Sequence, residues 1–136
     1  MTSVPNILSN INFIEDKIKK AKYNGADLIL FPENCGYMGN GNDMLSNAYK
    51  EADHPVLINA KKAAKTYNID VLLGSIAVFS NNSSKNKLAN RSLYIEKTGN
   101  ILGRYDKINM VDKDNYQIFY TYDMNYTTGY APKGIF

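Results

Sequence analysis

The segment Gly-Ala-Asp-Leu-Ile-Leu-Phe-Pro-Glu-Asn, residues 25–34, decides the fold of this chain. Its run of consecutive apolar residues is too long for a half-exposed strand and too short for a helix, so it predicts a strand over residues 27–31 that is buried on both faces of a sheet. Pro32 has no amide hydrogen to donate to a sheet, so the strand is expected to end there. Glu33 then lies at the carboxyl end of a buried strand, where α/β proteins place their chemistry.

An amphipathic helix is predicted immediately before this strand, over residues 5–24. Ser3 and Pro5 are typical of a helix start, and Gly25 is typical of the residue that follows a helix end. The apolar residues recur at spacings of three and four and so lie on one stripe, which consists of Ile7, Ile11, Ile14, Ile18 and Ala21. The lysines of the last turns are interpreted as a solvated face that offsets the helix dipole.

A second helix is predicted over residues 55–67, with Asp53 as its N-cap and Pro55 in its first turn. Its expected buried stripe consists of Val56, Ala60, Ala63 and Tyr67. His54, the only histidine, lies at the start of this helix and has no partner at metal-ligand spacing. It is therefore interpreted as a surface residue without a catalytic or metal-binding role.

The strands of the second half continue the α/β pattern. Residues 69–79 predict another buried strand, and residues 89–96 and 101–106 predict a hairpin whose turn contains Gly99. The polar segment at residues 80–87 is expected to be an exposed loop. Because helices alternate with buried strands, the sequence predicts an α/β layered fold in a single domain.

Two segments without clear periodicity are interpreted as loops. Residues 34–49 contain three glycines but no phosphate-binding pattern, so they predict an irregular loop that forms one wall of a pocket. Residues 113–131 are rich in tyrosine, and either a loop packed over a pocket or a poorly ordered tail is expected there. Stacking of nucleic-acid bases on these tyrosines is a weaker alternative.

Composition argues against several classes of function. The 136 residues carry a formal net charge of +3 with scattered lysines, which argues against a nucleic-acid partner. The amino terminus does not read as a secretory signal, no apolar run reaches membrane-spanning length, and the single cysteine excludes an internal disulfide. We therefore expect a cytoplasmic protein without membrane contact, and no pattern predicts a cofactor or a metal site.

Glu33 and Lys107 are the candidate site residues, because each follows a predicted strand. They can be read as two unrelated surface charges, as a structural ion pair, or as a catalytic pair. A carboxylate at the end of a buried strand can have its pKa raised toward neutrality, and a fixed ammonium group can meet a developing negative charge.

Three ordered blocks of the sequence resemble the nitrilase or carbon–nitrogen hydrolase superfamily. The blocks are residues 25–34, Asn90-Arg91-Ser92-Leu93-Tyr94-Ile95 with Thr98-Gly99, and Gly103-Arg104-Tyr105-Asp106-Lys107-Ile108. The resemblance extends over about residues 6–112 and includes the strand at residues 69–77. The Phe-Pro-Glu-Asn and Tyr-Asp-Lys-Ile forms are most similar to the amidase branch that acts on deaminated glutathione and ω-amides.

The resemblance implies an αββα-sandwich fold and the hydrolysis of small non-peptide amides by a Glu–Lys–Cys set. It implies that Glu33 is the general base, that Lys107 stabilises the oxyanion, and that a cysteine forms a thioester with the substrate. Cys35, the only cysteine, does not match the nucleophile position of the family. It is interpreted as a small, inert residue near the pocket wall.

The resemblance also implies that residues 1–136 are a partial domain, without the first strand and the carboxyl-terminal half of the fold. The nucleophile is expected in that half. We therefore expect amide hydrolysis only if a second chain supplies the missing half, and a homo-oligomer is a further expectation. The alternative is a catalytically inactive remnant or a binding module.

Overall fold

The computed structural model describes residues 1–80 and 88–107, and the backbone of two further short strands. The described helices are α1 Ile7–Tyr23, α2 Gly41–Ser46, the 3-10 helix Glu51–Asp53 and α3 Pro55–Tyr67. The described strands are β1 Leu28–Leu30, β2 Asp70–Phe79, β3 Leu88–Ile95, β4 Ile101–Asp106, β5 Asn109–Val111 and β6 Ile118–Tyr120. None of the described helices has the length and apolar character that crossing a bilayer requires.

The main sheet has four strands in the order β1-β2-β3-β4. β1 is parallel to β2, whereas β3 is antiparallel to both of its neighbours, β2 and β4. β5 and β6 form a separate antiparallel pair. The predicted hairpin of β3 and β4 is confirmed, and Gly99 in its turn has a φ of 86°. Helix α3 lies on the crossover between the two parallel strands, as expected for an α/β fold.

The hydrophobic core lies between helices α1 and α3 and one face of the sheet. Its almost fully buried members include Ile14, Ile18, Val56, Ala60, Ala64, Val71, Leu73, Leu93 and Ile95. The remaining residues of the two predicted helix stripes are buried in this core or packed against it. Burying one large aliphatic side chain contributes about 1.5–3 kcal/mol, so the two stripes hold α1 and α3 on the sheet.

The prediction that β1 is buried on both faces is wrong. Leu28 and Leu30 are 40% and 61% exposed, whereas Ile29 between them packs against the core. The reason is that β1 is an edge strand and the described helices cover only one face of the sheet. β2 shows the same one-sided pattern, since Val71 and Leu73 are fully buried and Leu72 is not.

The helix starts also differ from the prediction. The side chain of Asn6 accepts a hydrogen bond from the first turn of α1, so Asn6 rather than Ser3 is the N-cap. Gly25 follows this helix with a φ of 85°, as expected. α3 begins at Pro55 as predicted, but Asp53 is not its N-cap, because Asp53 belongs to the preceding 3-10 helix.

His54 is buried, so its interpretation as a surface residue is wrong. It is only 3% exposed, its ring centroid lies 5.4 Å from that of Tyr49, and it hydrogen-bonds to the backbone of Ala77. Tyr49 is held there because its carbonyl accepts a hydrogen bond from the amide of Phe79 at the end of β2. Burial lowers the pKa of His54 to about 4, so the ring is neutral near pH 7 in the folded chain.

The predicted loop at residues 34–49 contains the short helix α2. The side chain of Asn40 caps this helix by accepting a hydrogen bond from the amide of Asp43, which explains helix formation in a segment rich in glycine and asparagine. The loop predicted at residues 80–87 lies outside the described residues after Ser80. The tyrosine-rich segment 113–131 lies outside them too, apart from the backbone of β6.

Candidate active site

Glu33 lies in a sharp turn that follows β1. The last sheet hydrogen bond of this strand runs from the amide of Phe31 to the carbonyl of Leu72, at 2.8 Å. Pro32 has no amide hydrogen, so the chain leaves the sheet at the predicted residue. Asn34 then has a φ of 51°, in the left-handed region that asparagine adopts more readily than most residues. Glu33 is therefore placed at the carboxyl end of β1, as the sequence predicts.

A β-bulge in β2 fixes the backbone of this turn. Gly74 and Ser75 lie opposite the single residue Ser92 of β3. The hydroxyl of Ser75 accepts a hydrogen bond from the amide of Asn34 at 2.8 Å, and its carbonyl accepts one from the amide of Cys35 at 3.0 Å. The two residues that follow Glu33 are thus attached to β2, which limits how the glutamate can be oriented.

Gly74 allows the end of β1 to approach the bulge closely. A Cβ atom at Gly74 would lie 2.2 Å from the carbonyl oxygen of Phe31 and 2.6 Å from the carbonyl carbon of Pro32. These are backbone atoms that cannot rotate away, so glycine is required at this position. The placement of Glu33 therefore depends on Gly74, a residue to which the sequence analysis assigns no role.

Lys107 reaches the same turn from the end of β4. Its amide donates a hydrogen bond to the carbonyl of Asn90 at 2.9 Å, which continues the β3–β4 pairing one residue beyond β4. Its Nζ atom lies 2.8 Å from Oε1 of Glu33, although 74 residues separate the two in the sequence. The structure thus brings together the two residues that the sequence analysis selects.

Asn90 is the second hydrogen-bond partner of Glu33. Its Nδ2 donates to Oε1 at 2.7 Å, so the Asn90 amide and the Lys107 ammonium converge on one carboxylate oxygen. The sequence analysis placed Asn90 in a motif but gave it no role. A signal was available, because Asn90 and Ser92 alternate along β3 and so share a face of the sheet.

The pKa of Glu33 is lowered, so the rise that a position at a buried strand end can produce is not found here. The hydrogen bond from Lys107 is the largest cause, and the Asn90 amide acts in the same direction. Together they outweigh the partial desolvation of a carboxylate whose side chain is 52% exposed. Glu33 is therefore ionised near neutral pH, which is the form that can accept a proton.

Cys35 lies beneath the site and is fully buried. Its Sγ donates a hydrogen bond to the carbonyl of Ser75 at 3.3 Å. Burial raises the pKa of this thiol to about 12, so it stays protonated near neutral pH. A protonated thiol without solvent access is unreactive, which agrees with the interpretation of Cys35 as an inert residue.

A cleft of about 280 Å³ opens beside the ion pair. It is lined by Glu33, Gly74, Ser75, Asn90, Ser92, Tyr105 and Lys107. This volume is at the lower end for ligand pockets and is suited to a small molecule. Within residues 1–80 and 88–107, no three His, Cys, Asp or Glu side chains lie close enough together to hold a metal ion.

A larger groove of about 400 Å³ lies between α1 and β1. Its lining includes Phe13, Lys17, Lys20 and Leu30, and none of its described lining residues is an aspartate or a glutamate. The smaller cleft is the better candidate for an active site, because a carboxylate and a cation meet in it.

Arg91 connects the strands that carry the site to the 3-10 helix. Its guanidinium donates to both carboxylate oxygens of Asp106, at 2.6 and 2.7 Å, and to Glu51 at 2.8 Å. Glu51 also pairs with Arg104 at 2.8 Å. Because Arg91 follows Asn90 and Asp106 precedes Lys107, this network restrains both chain segments that contact Glu33.

Sequence comparison identifies relatives of this chain. A sequence model of the family described as carbon-nitrogen hydrolase matches residues 1–127. A deaminated glutathione amidase from Yersinia enterocolitica is 29% identical over 114 residues, which amount to 84% of this chain and 39% of that protein. This chain thus spans about two fifths of the length of the curated relatives that it matches.

Solved structures share the fold described above. The C. elegans NitFhit protein aligns with a TM-score of 0.71 and 23% identity, over 81% of this chain and 26% of that chain. An amidase from Nesterenkonia sp. AN1 in complex with acrylamide aligns with a TM-score of 0.69 and 15% identity, over 89% and 44%. A further structure of that amidase assigns it to the nitrilase superfamily. The expected nitrilase-like α/β fold is therefore confirmed, and it corresponds to part of those longer chains.

Proposed function

We propose that this chain, which belongs to the carbon–nitrogen hydrolase family, provides the general base and the oxyanion-binding cation of an amide-hydrolysing site. The observation that carries the proposal is the contact of 2.8 Å between Lys107 Nζ and Glu33 Oε1. The two groups are 74 residues apart in the sequence and meet at the wall of a small cleft. A structural ion pair has no need of a cleft, whereas a catalytic pair does.

Glu33 is assigned the role of the general base. Lys107 lowers its pKa, so the group is an ionised carboxylate at neutral pH, which is the form that a general base requires. It would accept the proton of an attacking thiol and pass it to the amide nitrogen, which leaves as ammonia. It would then take a proton from the water that hydrolyses the thioester and return it to the departing thiolate.

Lys107 is assigned to the oxyanion. Attack of a thiolate on an amide carbonyl places a negative charge on the carbonyl oxygen, and a fixed ammonium group beside the cleft can stabilise that charge. Its backbone is held to β3 by the hydrogen bond with Asn90, so the ammonium is positioned before substrate arrives.

The nucleophilic thiol is assigned to residues beyond these 136. Cys35 is the only cysteine here, and its thiol is buried and hydrogen-bonded to Ser75. We assign the substrate to small non-peptide amides, by analogy with the Yersinia enterocolitica amidase and in agreement with the small volume of the cleft. A second polypeptide that carries the remaining part of the fold is the proposed partner.

A hybrid enzyme tests this function. The chain would be joined to the part of the Yersinia enterocolitica amidase that it does not cover, and ammonia release from deaminated glutathione and from simple ω-amides would be measured. We expect turnover by the hybrid and none by the 136-residue chain alone. A hybrid that folds cooperatively but releases no ammonia would contradict the proposal and would favour a non-enzymatic binding module.

A further inference from the structure

Two hydrogen-bond donors converge on one oxygen of Glu33. The ammonium of Lys107 lies 2.8 Å from Oε1, and the amide nitrogen of Asn90 lies 2.7 Å from the same atom. Within residues 1–80 and 88–107, the other oxygen, Oε2, accepts no hydrogen bond. The two oxygens of this carboxylate are therefore not equivalent.

We propose that Asn90 is a positioning residue that, with Lys107, holds Oε1 of Glu33 and leaves Oε2 as the oxygen that accepts the proton. This inference rests on the proposed function, because it assigns the proton transfer to one atom of the general base. An oxygen that already receives two donors has few lone-pair directions left, whereas no donor from the described residues occupies those of Oε2. Proton transfer requires such a free and correctly directed lone pair.

The orientation of the Asn90 side chain is fixed by Glu33. If its amide were rotated by a half turn, Oδ1 would face a carboxylate oxygen, and two acceptors would oppose each other. In the observed orientation Oδ1 is buried and has no partner among the described residues. The Asn90 side chain therefore serves the site through its Nδ2 donor, which contacts Glu33. Its Oδ1 is buried and has no access to a substrate. Asn90 acts through Glu33 and does not contact the reacting atoms.

The backbone of Asn90 has a separate part in the site. Its carbonyl accepts the amide hydrogen of Lys107 at 2.9 Å. A side-chain substitution leaves this bond and the pairing of β3 with β2 and β4 in place. Substitution of Asn90 thus removes the contact to Oε1 without removing the sheet that carries Lys107.

The chain offers a matched control in Asn59. Its Nδ2 donates to the carboxylate of Glu15 at 3.1 Å, and its Oδ1 is likewise buried without a described partner. Asn59→Ala removes the same kind of contact at a different place in the molecule. If Asn90→Ala changes the pKa of Glu33 and Asn59→Ala does not, the effect is therefore specific to the site.

Carboxyl carbon NMR on the full 136-residue chain tests the contact without any need for turnover. We expect Asn90→Ala to raise the pKa of Glu33 and the near-isosteric Asn90→Asp to raise it further, because a second carboxylate would oppose the first. Asn59→Ala should leave this titration unchanged. An unchanged titration in both Asn90 variants would overturn the inference.

The unaltered chain provides a readout that does not depend on how the variants fold. We expect the side-chain amide protons of Asn90 to shift in step with the ionisation of Glu33, while those of Asn59 do not. If the chemical shifts of the Asn90 amide protons do not change when Glu33 ionises, the inference is overturned.

In the active hybrid, Asn90→Ala should lower kcat by about tenfold or more with little change in KM, since a misdirected base mainly affects the chemical step. An unchanged kcat would overturn the assignment of the proton transfer to Oε2. Absence of turnover in the hybrid itself would instead argue against the proposed function, so the two failures are distinguishable.

Discussion

Cys35 and Glu33 are only two residues apart, yet the fold gives them opposite properties. Glu33 follows the end of β1 into the cleft, where a cation keeps it ionised. The hydrogen bonds of Asn34 and Cys35 to Ser75 turn the chain inward, so the thiol is buried while the carboxylate reaches solvent. One turn thus exposes the Glu33 carboxylate and buries the thiol of Cys35, the only cysteine of the chain.

The burial of Cys35 predicts slow thiol chemistry. At pH 8, a disulfide reagent should label the native chain at least about 100-fold more slowly than the urea-unfolded chain, because the buried thiol has neither access nor thiolate character. Reaction rates followed by absorbance test this. Labelling of the native chain as fast as that of the unfolded chain would contradict the placement of Cys35 in the core.

The burial of His54 predicts a pH-dependent stability. The pKa of this group is lowered to about 4 in the folded chain, so its contribution is fully present above pH 6.5 and is lost as the pH falls from 6.5 toward 4. Between pH 7.5 and pH 5 we expect the unfolding free energy to fall by about 2 kcal/mol from this residue. Urea unfolding at the two pH values measures this fall in the wild type and in His54→Gln. An equal fall in unfolding free energy in both proteins would refute the prediction.

At the scale of elements, the bulge in β2 and the end of β1 act as one unit. Gly74 and Ser75 lie opposite Ser92, and the close approach of Phe31 to Gly74 leaves no room for a side chain there. The site is therefore built by strand register as well as by its charged residues.

Gly74→Ala is expected to destabilise the chain by about 3 kcal/mol, because the new methyl group would overlap the backbone of β1. Gly103→Ala is the matched control, since a Cβ there would meet nothing closer than 3.7 Å. We expect the control to change stability by less than about 1 kcal/mol. Denaturant unfolding measures the free energy of unfolding of both variants. Equal losses of stability in Gly74→Ala and Gly103→Ala would contradict the close approach of β1 to Gly74.

The elements that the sequence predicts well are those defined by local periodicity. The spacing of apolar residues gives α1 and α3 within one or two residues of their observed limits, and Gly99 marks the hairpin turn. The motif blocks select Glu33 and Lys107. These signals lie within short segments of the chain, so no knowledge of distant neighbours is needed to read them.

The features that escaped prediction depend on distant parts of the chain. The exposure of Leu28 and Leu30 depends on what covers the sheet, and the burial of His54 depends on how Tyr49 is held against β2. The low pKa of Glu33 depends on a lysine 74 residues away. A pattern in the sequence cannot report which groups the fold brings together over such separations.

At the scale of the whole molecule, one face of the sheet packs on α1 and α3, and no described helix covers the other face. That other face carries the cleft, with Ser92 and Asn90 on the central strand β3. The network of Arg91, Asp106 and Glu51 ties the 3-10 helix to this strand pair. The candidate site thus lies on a sheet whose opposite face is held by the core, which suits the fixed positioning that the proposed amide hydrolysis needs.

The most direct test of the central claim is the rate of ammonia release by the hybrid enzyme with Glu33→Gln, compared with Glu15→Gln as the control. Glutamine keeps the shape of the side chain but cannot take a proton from a thiol or from water. We expect Glu33→Gln to lower kcat by about 10²–10⁴-fold and Glu15→Gln to leave it unchanged. A Glu33→Gln hybrid that releases ammonia at the wild-type rate would show that Glu33 is not the general base.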